Sequence, residues 1–251
     1  MNTRRILAAV IALAALSISV FAQTNPARQG VTKFKVRIEN ISSADGFTAS
    51  NGMKWPFAIS PGAYSIHRGS GNPLFKVGNY AGRAGLEAQA EDGNPDMLVT
   101  VASNHAGVVT NGTFNVPVGA SMPGPVTPGA AFEFEVMATP GAHLFITFMF
   151  GQSNDLFFGT ENGLELFDQT GQPLSGDVTA QFGLWDAGTE VNEEPGIGPN
   201  QAPRQKQANT GTSERKKVGP VKDGFTYPNT ADVLRITVTP SVQSVAKKGT
   251  N

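Results

Sequence analysis

The chain has 251 residues and a formal net charge of −1, and it contains 29 glycines, 17 prolines and no cysteine. The lack of cysteine excludes disulfides, thiolate metal sites and cysteine nucleophiles. The nearly neutral charge gives no bulk attraction to nucleic acid or to an anionic membrane surface. Only 16% of the residues are charged, and the abundant glycine and proline indicate many turns and few exposed helices.

The N-terminal residues have the pattern of a secretory signal peptide. Arg4 and Arg5 precede an apolar run over residues 6–20, and Val20-Phe21-Ala22 places small residues where a signal peptidase reads the chain. The run is shorter than the about 20 apolar residues of a membrane span. We therefore predict a signal peptide over residues 1–22 and a secreted or periplasmic protein that does not span the membrane. The lack of cysteine favours a bacterial source, because animal extracellular domains of this size usually carry disulfides.

After a polar linker (23–32), several segments have the apolar–polar alternation or the continuous apolar run of β-strands. Six of them are well defined: 33–39, 131–136, 144–150, 164–167, 178–185 and 233–238. Two weaker candidates are 98–102 and 114–118. Many strands separated by glycine- or proline-bearing turns predict a mainly β fold, an antiparallel β-sandwich over residues 33–240. The tail, residues 241–251, is predicted to be disordered.

One short helix and one long irregular segment complete the prediction. The helix is expected from about Ala81 to Glu91, with Leu86 and Ala90 on one face and Glu87 and Glu91 on another. Residues 191–229 are rich in Pro, Gly, Asn, Gln and Lys. A stretch this long without regular structure is either a functional excursion or partly disordered.

An acidic turn ends the apolar run before Trp185. In Trp185-Asp186-Ala187-Gly188-Thr189-Glu190, two carboxylates stand four residues apart across a glycine. A hard cation takes about six to eight oxygen ligands from carboxylates and from carbonyls that turns expose. Asp and Gly are also ordinary turn residues, so this stretch alone leaves both readings open.

Three segments together resemble a known family, the spondin N-terminal domain. The first runs from Phe57-Ala58-Ile59-Ser60-Pro61 to Ala90-Glu91-Asp92-Gly93 and resembles the family's S-P … H … G … A-x-x-G-L … A-E-x-G stretch. The second, residues 153–159, resembles P-S-P-D-W-F-x-G, and the third, residues 185–190, resembles W-D-A-G-T-D. Order and spacing agree over most of the chain, from about Lys33 to Pro240.

The resemblance implies a single β-sandwich that holds a calcium ion (Ca²⁺) at one end through three acidic residues. Carried over to this chain, these are Asp155, Asp186 and Glu190. Three positions depart from the family pattern, because Glu190 replaces an Asp, Leu156 replaces the Trp after the first Asp, and Asn154 replaces the Pro before it. The longer Glu side chain reaches further or binds in a bidentate manner, which alters the expected affinity.

No other pattern predicts a site. The three histidines, His67, His105 and His143, are far apart in sequence and are not expected to converge on a zinc ion, which needs about three or four ligands. The chain has neither a Gly-x-Ser-x-Gly elbow nor a His-Glu-x-x-His motif, so we predict no catalytic residues and no enzyme.

The sequence therefore predicts a monomeric, secreted, calcium-binding module for binding or adhesion. Its ligand is an extracellular protein, a polysaccharide or a lipid, which sequence alone does not distinguish. Two alternatives stay open. One is an envelope protein with a purely structural calcium site, and the other is a secreted hydrolase.

Overall fold

The computed structural model describes residues 30–82 and 85–241. The predicted signal peptide, residues 23–29 of the linker and residues 242–251 of the tail lie outside the described residues. Antiparallel strands predominate, which confirms the predicted fold class. They are β1 (Thr32–Asn40), β2 (Phe47–Thr48), β3 (Lys54–Trp55), β4 (Ile59–His67), β5 (Val108–Phe114), β6 (Ala131–Ala138), β7 (His143–Phe150), β8 (Leu156–Gly159), β9 (Leu164–Glu165), β10 (Gly176–Asp177), β11 (Gly183–Asp186), β12 (Gly219–Pro220) and β13 (Leu234–Ser241).

The smaller of the two main sheets has four strands in the order β10–β13–β1–β6. The alternation in β1 decides its two faces, because Phe34, Val36 and Ile38 are fully buried while the intervening cations face outward. Arg37 lies opposite Glu133 of β6 in the register, and its guanidinium donates to that carboxylate over 2.9 Å. The polar face of β1 thus adds cross-strand charge pairs to the sheet.

The larger sheet runs in the order β12–β11–β8–β7–β4–β5, and β9 pairs with β7. As predicted from its continuous apolar run, β7 is covered on both faces. Leu144, Ile146 and Phe148 pack in the core shared with the smaller sheet. Phe145, on the opposite face, belongs to a second apolar cluster. The hairpin of β2 and β3 stands apart as a two-stranded sheet.

Two helices cover the outer face of the larger sheet, where one helix was expected. These are α1 (Leu86–Asp92), shorter than predicted, and α2 (Asp96–Ala102); a third helix, α3 (Thr230–Val233), precedes β13. The predicted weak strand over 98–102 is wrong, since Leu98 and Ala102, four residues apart, are buried on one side of α2. No helix in the described part of the chain is long and apolar enough to cross a bilayer.

Two further strand predictions are wrong in part. Residues 178–185 do not form one strand, because a 3-10 turn spans Thr179–Gln181 before β11 begins. The backbone N–H of Thr179 donates to Asp177 Oδ1 over 2.8 Å, which stabilises this turn. The candidate at 114–118 is only the end of β5, and strand β4, with its internal Pro61-Gly62, was not predicted.

The long segment 191–229 has little regular structure, as expected, but it packs closely on the sandwich. Its residues around 213–218 lie beside the acidic turn, where Lys216 N–H donates to Gly188 O over 2.9 Å and Glu214 N–H donates to Thr189 O over 2.6 Å. Val218 N–H then donates to Asn79 O over 2.8 Å. The segment therefore bridges the acidic turn and the loop that precedes α1.

Candidate metal centre

The three predicted acids lie at one end of the larger sheet. Strands β8 and β11 are antiparallel neighbours, and Asp186 lies opposite Leu156 in their register. Asp155, which directly precedes β8, is therefore next to Asp186, and Ala187 N–H donates to the Asp155 carbonyl over 3.2 Å. The register of β8 and β11 thus brings Asp155 and Asp186 together.

Asp155 is the most buried of the three, with no exposed surface. Its Oδ2 accepts hydrogen bonds from Thr189 N–H at 2.7 Å and from Glu190 N–H at 3.1 Å, and a weaker one from Thr189 Oγ1 at 3.2 Å. Its Oδ1 is buried and has no hydrogen-bond partner. The acidic turn thus donates hydrogen bonds to one oxygen of this carboxylate and leaves the other without a partner.

Asp186 and Glu190 each accept hydrogen bonds on both oxygens. Gly188 N–H donates to Asp186 Oδ1 at 2.7 Å, and Asn192 Nδ2 donates to Oδ2 at 3.0 Å. Gly211 N–H donates to Glu190 Oε1 at 2.7 Å, and Asn154 Nδ2 lies 3.3 Å from Oε2. A side chain at Gly211 would collide with the Glu190 carboxylate, so glycine permits this close approach of the long segment.

A fourth carboxylate, Glu91, belongs to the same cluster and was not predicted as a site residue. It lies in α1 and is only 2% exposed, and its Oε2 is buried without a partner. The sequence assigned Glu91 to the polar face of the helix, and the structure turns that face toward Thr189, Glu190 and Asp155. Its place in the Ala90-Glu91-Asp92-Gly93 segment was the one signal that could have identified it.

Burial and mutual repulsion make these carboxylates hard to ionise. Burial raises the pKa of Asp155 to about 7, and the charge of Asp186 adds to the rise. Burial also raises the pKa of Glu91 to about 8, with further contributions from Glu190 and Asp155. The pKa values of Asp186 and Glu190 are raised as well, mainly by burial. The cluster therefore favours either bound protons or a nearby positive charge.

The protein supplies little positive charge of its own. The ion pairs among the described residues involve other carboxylates, and Lys216, whose charge attracts Asp186, pairs with Glu214 at 2.5 Å. The atoms available to bind a metal ion are carboxylate and amide oxygens, which suit a hard cation. However, across residues 30–82 and 85–241 no three His, Cys, Asp or Glu side chains are arranged to hold a metal ion.

His67 has the other two histidines as neighbours, although the three are far apart in sequence. His67 and His143 are register partners on β4 and β7, and the ring centroids of His67 and His105 are 5.3 Å apart. The Nε2 atom of His67 lies 2.9 Å from Ala106 O, a contact that ties the turn after α2 to the sheet. This cluster is at the opposite end of the larger sheet from the acids.

A scan of the sequence against protein-family models gives no match, and a search of curated proteins gives none either. The spondin resemblance therefore rests on the three sequence segments described above.

Proposed function

We propose that this chain is a secreted, calcium-binding β-sandwich of the spondin type that acts as an extracellular or periplasmic binding or adhesion module. The observation that carries the proposal is a pair of carboxylate oxygens, Asp155 Oδ1 and Glu91 Oε2, which are buried without hydrogen-bond partners beside two further acids. A buried carboxylate without compensation is costly. A divalent cation is the ligand that would remove this cost.

The residues that would hold calcium are Asp155, Asp186 and Glu190, with Glu91 as a further oxygen donor. The side-chain oxygen of Asn192 is also buried without a partner, and amide oxygens are suitable calcium ligands. Asp186 and Glu190 now accept hydrogen bonds from N–H groups, and a bound ion would compete with those groups for the carboxylate oxygens. It would supply the positive charge that the cluster lacks.

The burial of the acidic side chains indicates which role a bound calcium ion would have. Asp155 is 0% and Glu190 is 3% exposed, and residues 211–216 lie against the turn that carries Glu190. An ion at this depth orders the acidic turn and the long segment and does not offer open coordination positions to an external ligand. This burial favours the structural role of the ion, so the ligand-binding surface is expected outside the acidic cluster.

Thermal unfolding of the mature chain tests the metal site. The melting temperature is measured in EDTA and then in millimolar calcium or magnesium. Calcium at about 100 times its dissociation constant would stabilise the fold by about 2.7 kcal/mol. We expect a calcium-specific rise that Asp186→Asn abolishes and that Asp168→Asn, which changes an exposed acid in the β9–β10 connection, retains. No rise in the unmodified chain would overturn the proposal.

A further inference from the structure

A groove of about 610 Å³ lies beside the loop that follows the acidic turn. One wall is the β2–β3 hairpin, the other is the segment 224–228, and residues 194–195 lie between them. Its volume falls within the range of about 300–1,000 Å³ that is usual for small-molecule sites. The groove is separate from the acidic cluster, whose four carboxylates do not line it.

Aromatic side chains dominate both walls of the groove. Phe47 and Trp55 come from the hairpin, with ring centroids 5.0 Å apart, and Phe225 and Tyr227 come from the other wall. Phe225 is 39% exposed, whereas Trp55 is 5% exposed because Gly196 packs directly on its ring. The rings available to a ligand are therefore those of Phe47, Phe225 and Tyr227.

Most polar groups of the groove are already bonded to one another. Ser50 donates from its N–H and from its hydroxyl to the two oxygens of Glu194, at 2.5 Å each. The Tyr227 hydroxyl donates to Asp223 at 2.5 Å. Among the side chains that line the groove, this leaves the hydroxyls of Thr48 and Thr226 for a ligand. A sugar or a primary ammonium needs several hydrogen-bond partners in exchange for water, and the groove offers it few polar side chains.

The charge of the groove is negative and uncompensated. Its lining contains the carboxylate of Glu194 and no Lys, Arg or His, and Asp223 lies just behind Tyr227. None of the ion pairs formed by the described residues involves either acid. The hydrogen bonds from Ser50 lower the pKa of Glu194, which keeps this carboxylate charged.

We propose that this groove binds a quaternary ammonium group of the choline type. Such a cation has no N–H groups to satisfy, and it is attracted both by aromatic rings and by a nearby carboxylate. The groove supplies those two features and few free polar side chains. The inference goes beyond the proposed calcium site, and it assigns a ligand class to a surface outside that site.

Calorimetric titration of the mature chain with choline chloride tests the proposal. The comparison ligand is 3,3-dimethyl-1-butanol, which has the same shape without the charge. We expect saturable choline binding and at least roughly fivefold weaker binding of the neutral alcohol, as expected for a cation–π contact. Equal binding of both compounds, or no saturable choline binding, would overturn the proposal.

Two variants with matched controls locate the site. Phe225→Leu and Glu194→Gln should each weaken choline binding by roughly fivefold. Tyr80→Leu and Glu165→Gln change an exposed aromatic and an exposed acid elsewhere and should leave the affinity unchanged. Unchanged affinity in both groove variants would contradict the assignment. Each titration is made in calcium and in EDTA, so that failure of the calcium site and failure of the groove are distinguished.

Sedimentation with phosphatidylcholine vesicles separates two sources of the same chemistry. Vesicle binding that free choline displaces would identify a lipid headgroup as the ligand, whereas choline binding without vesicle binding would identify a soluble molecule. Equal binding to phosphatidylethanolamine vesicles, whose headgroup is a primary ammonium, would overturn the preference for a quaternary group.

Discussion

At the scale of single residues, the acidic cluster is unusual because it is buried without a counter-charge. Asp155 accepts three hydrogen bonds on one oxygen and none on the other, and Glu91 Oε2 is likewise buried without a partner. Hydrogen bonds from the acidic turn lower the pKa of Asp155, but burial and Asp186 outweigh them. The metal-free cluster therefore retains protons that the unfolded chain would release.

This imbalance predicts an inverted pH dependence of stability in EDTA. The pKa values of Asp155 and Glu91, about 7 and about 8, exceed the unfolded values of about 4. The folded state therefore binds more protons between about pH 4 and pH 8, and its stability is lost as the pH rises through this window. We expect the free energy of unfolding, measured with urea, to fall by about 6 kcal/mol from pH 5 to pH 8.

Asp155→Asn is the diagnostic variant for this pH effect. It removes one of the two titrating groups and should flatten the decline, and saturating calcium should flatten it in the unmodified chain. A decline of equal size in Asp155→Asn would show that other groups cause it.

Glu91 gives a second prediction at this scale. If its free oxygen takes part in binding calcium, Glu91→Gln should weaken the calcium affinity about tenfold or more, because a charged ligand is lost. Glu87→Gln, one turn earlier on the same helix and partly exposed, is the control and should change the affinity little. The calcium affinity of each variant can be measured by calorimetry. Equal losses of affinity in Glu91→Gln and Glu87→Gln would indicate a general effect of charge.

At the scale of elements, α1 and α2 form a layer that the sandwich pattern did not predict. Gly85 precedes α1 with a φ of +85°, and a Cβ there would lie 2.3 Å from the Leu98 backbone nitrogen of α2. Glycine is therefore required twice, for its backbone conformation and for the close approach of the two helices. This contact fixes the position of α1, which carries Glu91.

Gly85→Ala should consequently cost more stability than Gly78→Ala. Gly78 has a nearly equal φ of +83° with no atom within 4 Å of a Cβ, so its replacement measures backbone strain alone, about 1–2 kcal/mol. Gly85→Ala should add about 1–3 kcal/mol for the collision and should also weaken calcium binding. Denaturant unfolding of both variants measures the two losses of stability. Equal losses in Gly85→Ala and Gly78→Ala would contradict the predicted collision.

At the scale of the whole molecule, the two ends of the larger sheet differ in chemistry. The acids, the long segment and the aromatic groove share one end, and the histidines share the other. The long segment is anchored to the acidic turn through Gly211, Glu214 and Lys216. We therefore expect a change at the acidic cluster to affect the long segment.

Trypsin digestion tests this connection. Lys206 and Arg215 are exposed residues of the long segment, and Lys54 is an exposed residue of the β2–β3 hairpin. Calcium should slow cleavage after Lys206 and Arg215, because cleavage requires local opening of the segment, and it should not slow cleavage after Lys54. Mass spectrometry of the fragments identifies the sites. Protection at all three would indicate global stabilisation instead.

The sequence by itself determined the elements whose pattern is local. The alternation in β1 and β6 and the continuous apolar run of β7 predicted these strands, since the face that each residue presents follows from the two-residue period of a strand. The place of Asp186 at the end of an apolar run was also visible in the sequence, whereas Asp155 was named only through the family resemblance. The irregular character of residues 191–229 followed from their composition.

Tertiary structure decided the features that depend on distant partners. Residues 98–102 are a helix because their apolar side faces the larger sheet, although their composition also suits a strand. Glu91 is buried because α1 turns its polar face toward the acidic turn, and His67 lies opposite His143 because β4 pairs with β7. No local period encodes these contacts, since each joins residues that are far apart in the chain and is decided by the packing of whole elements.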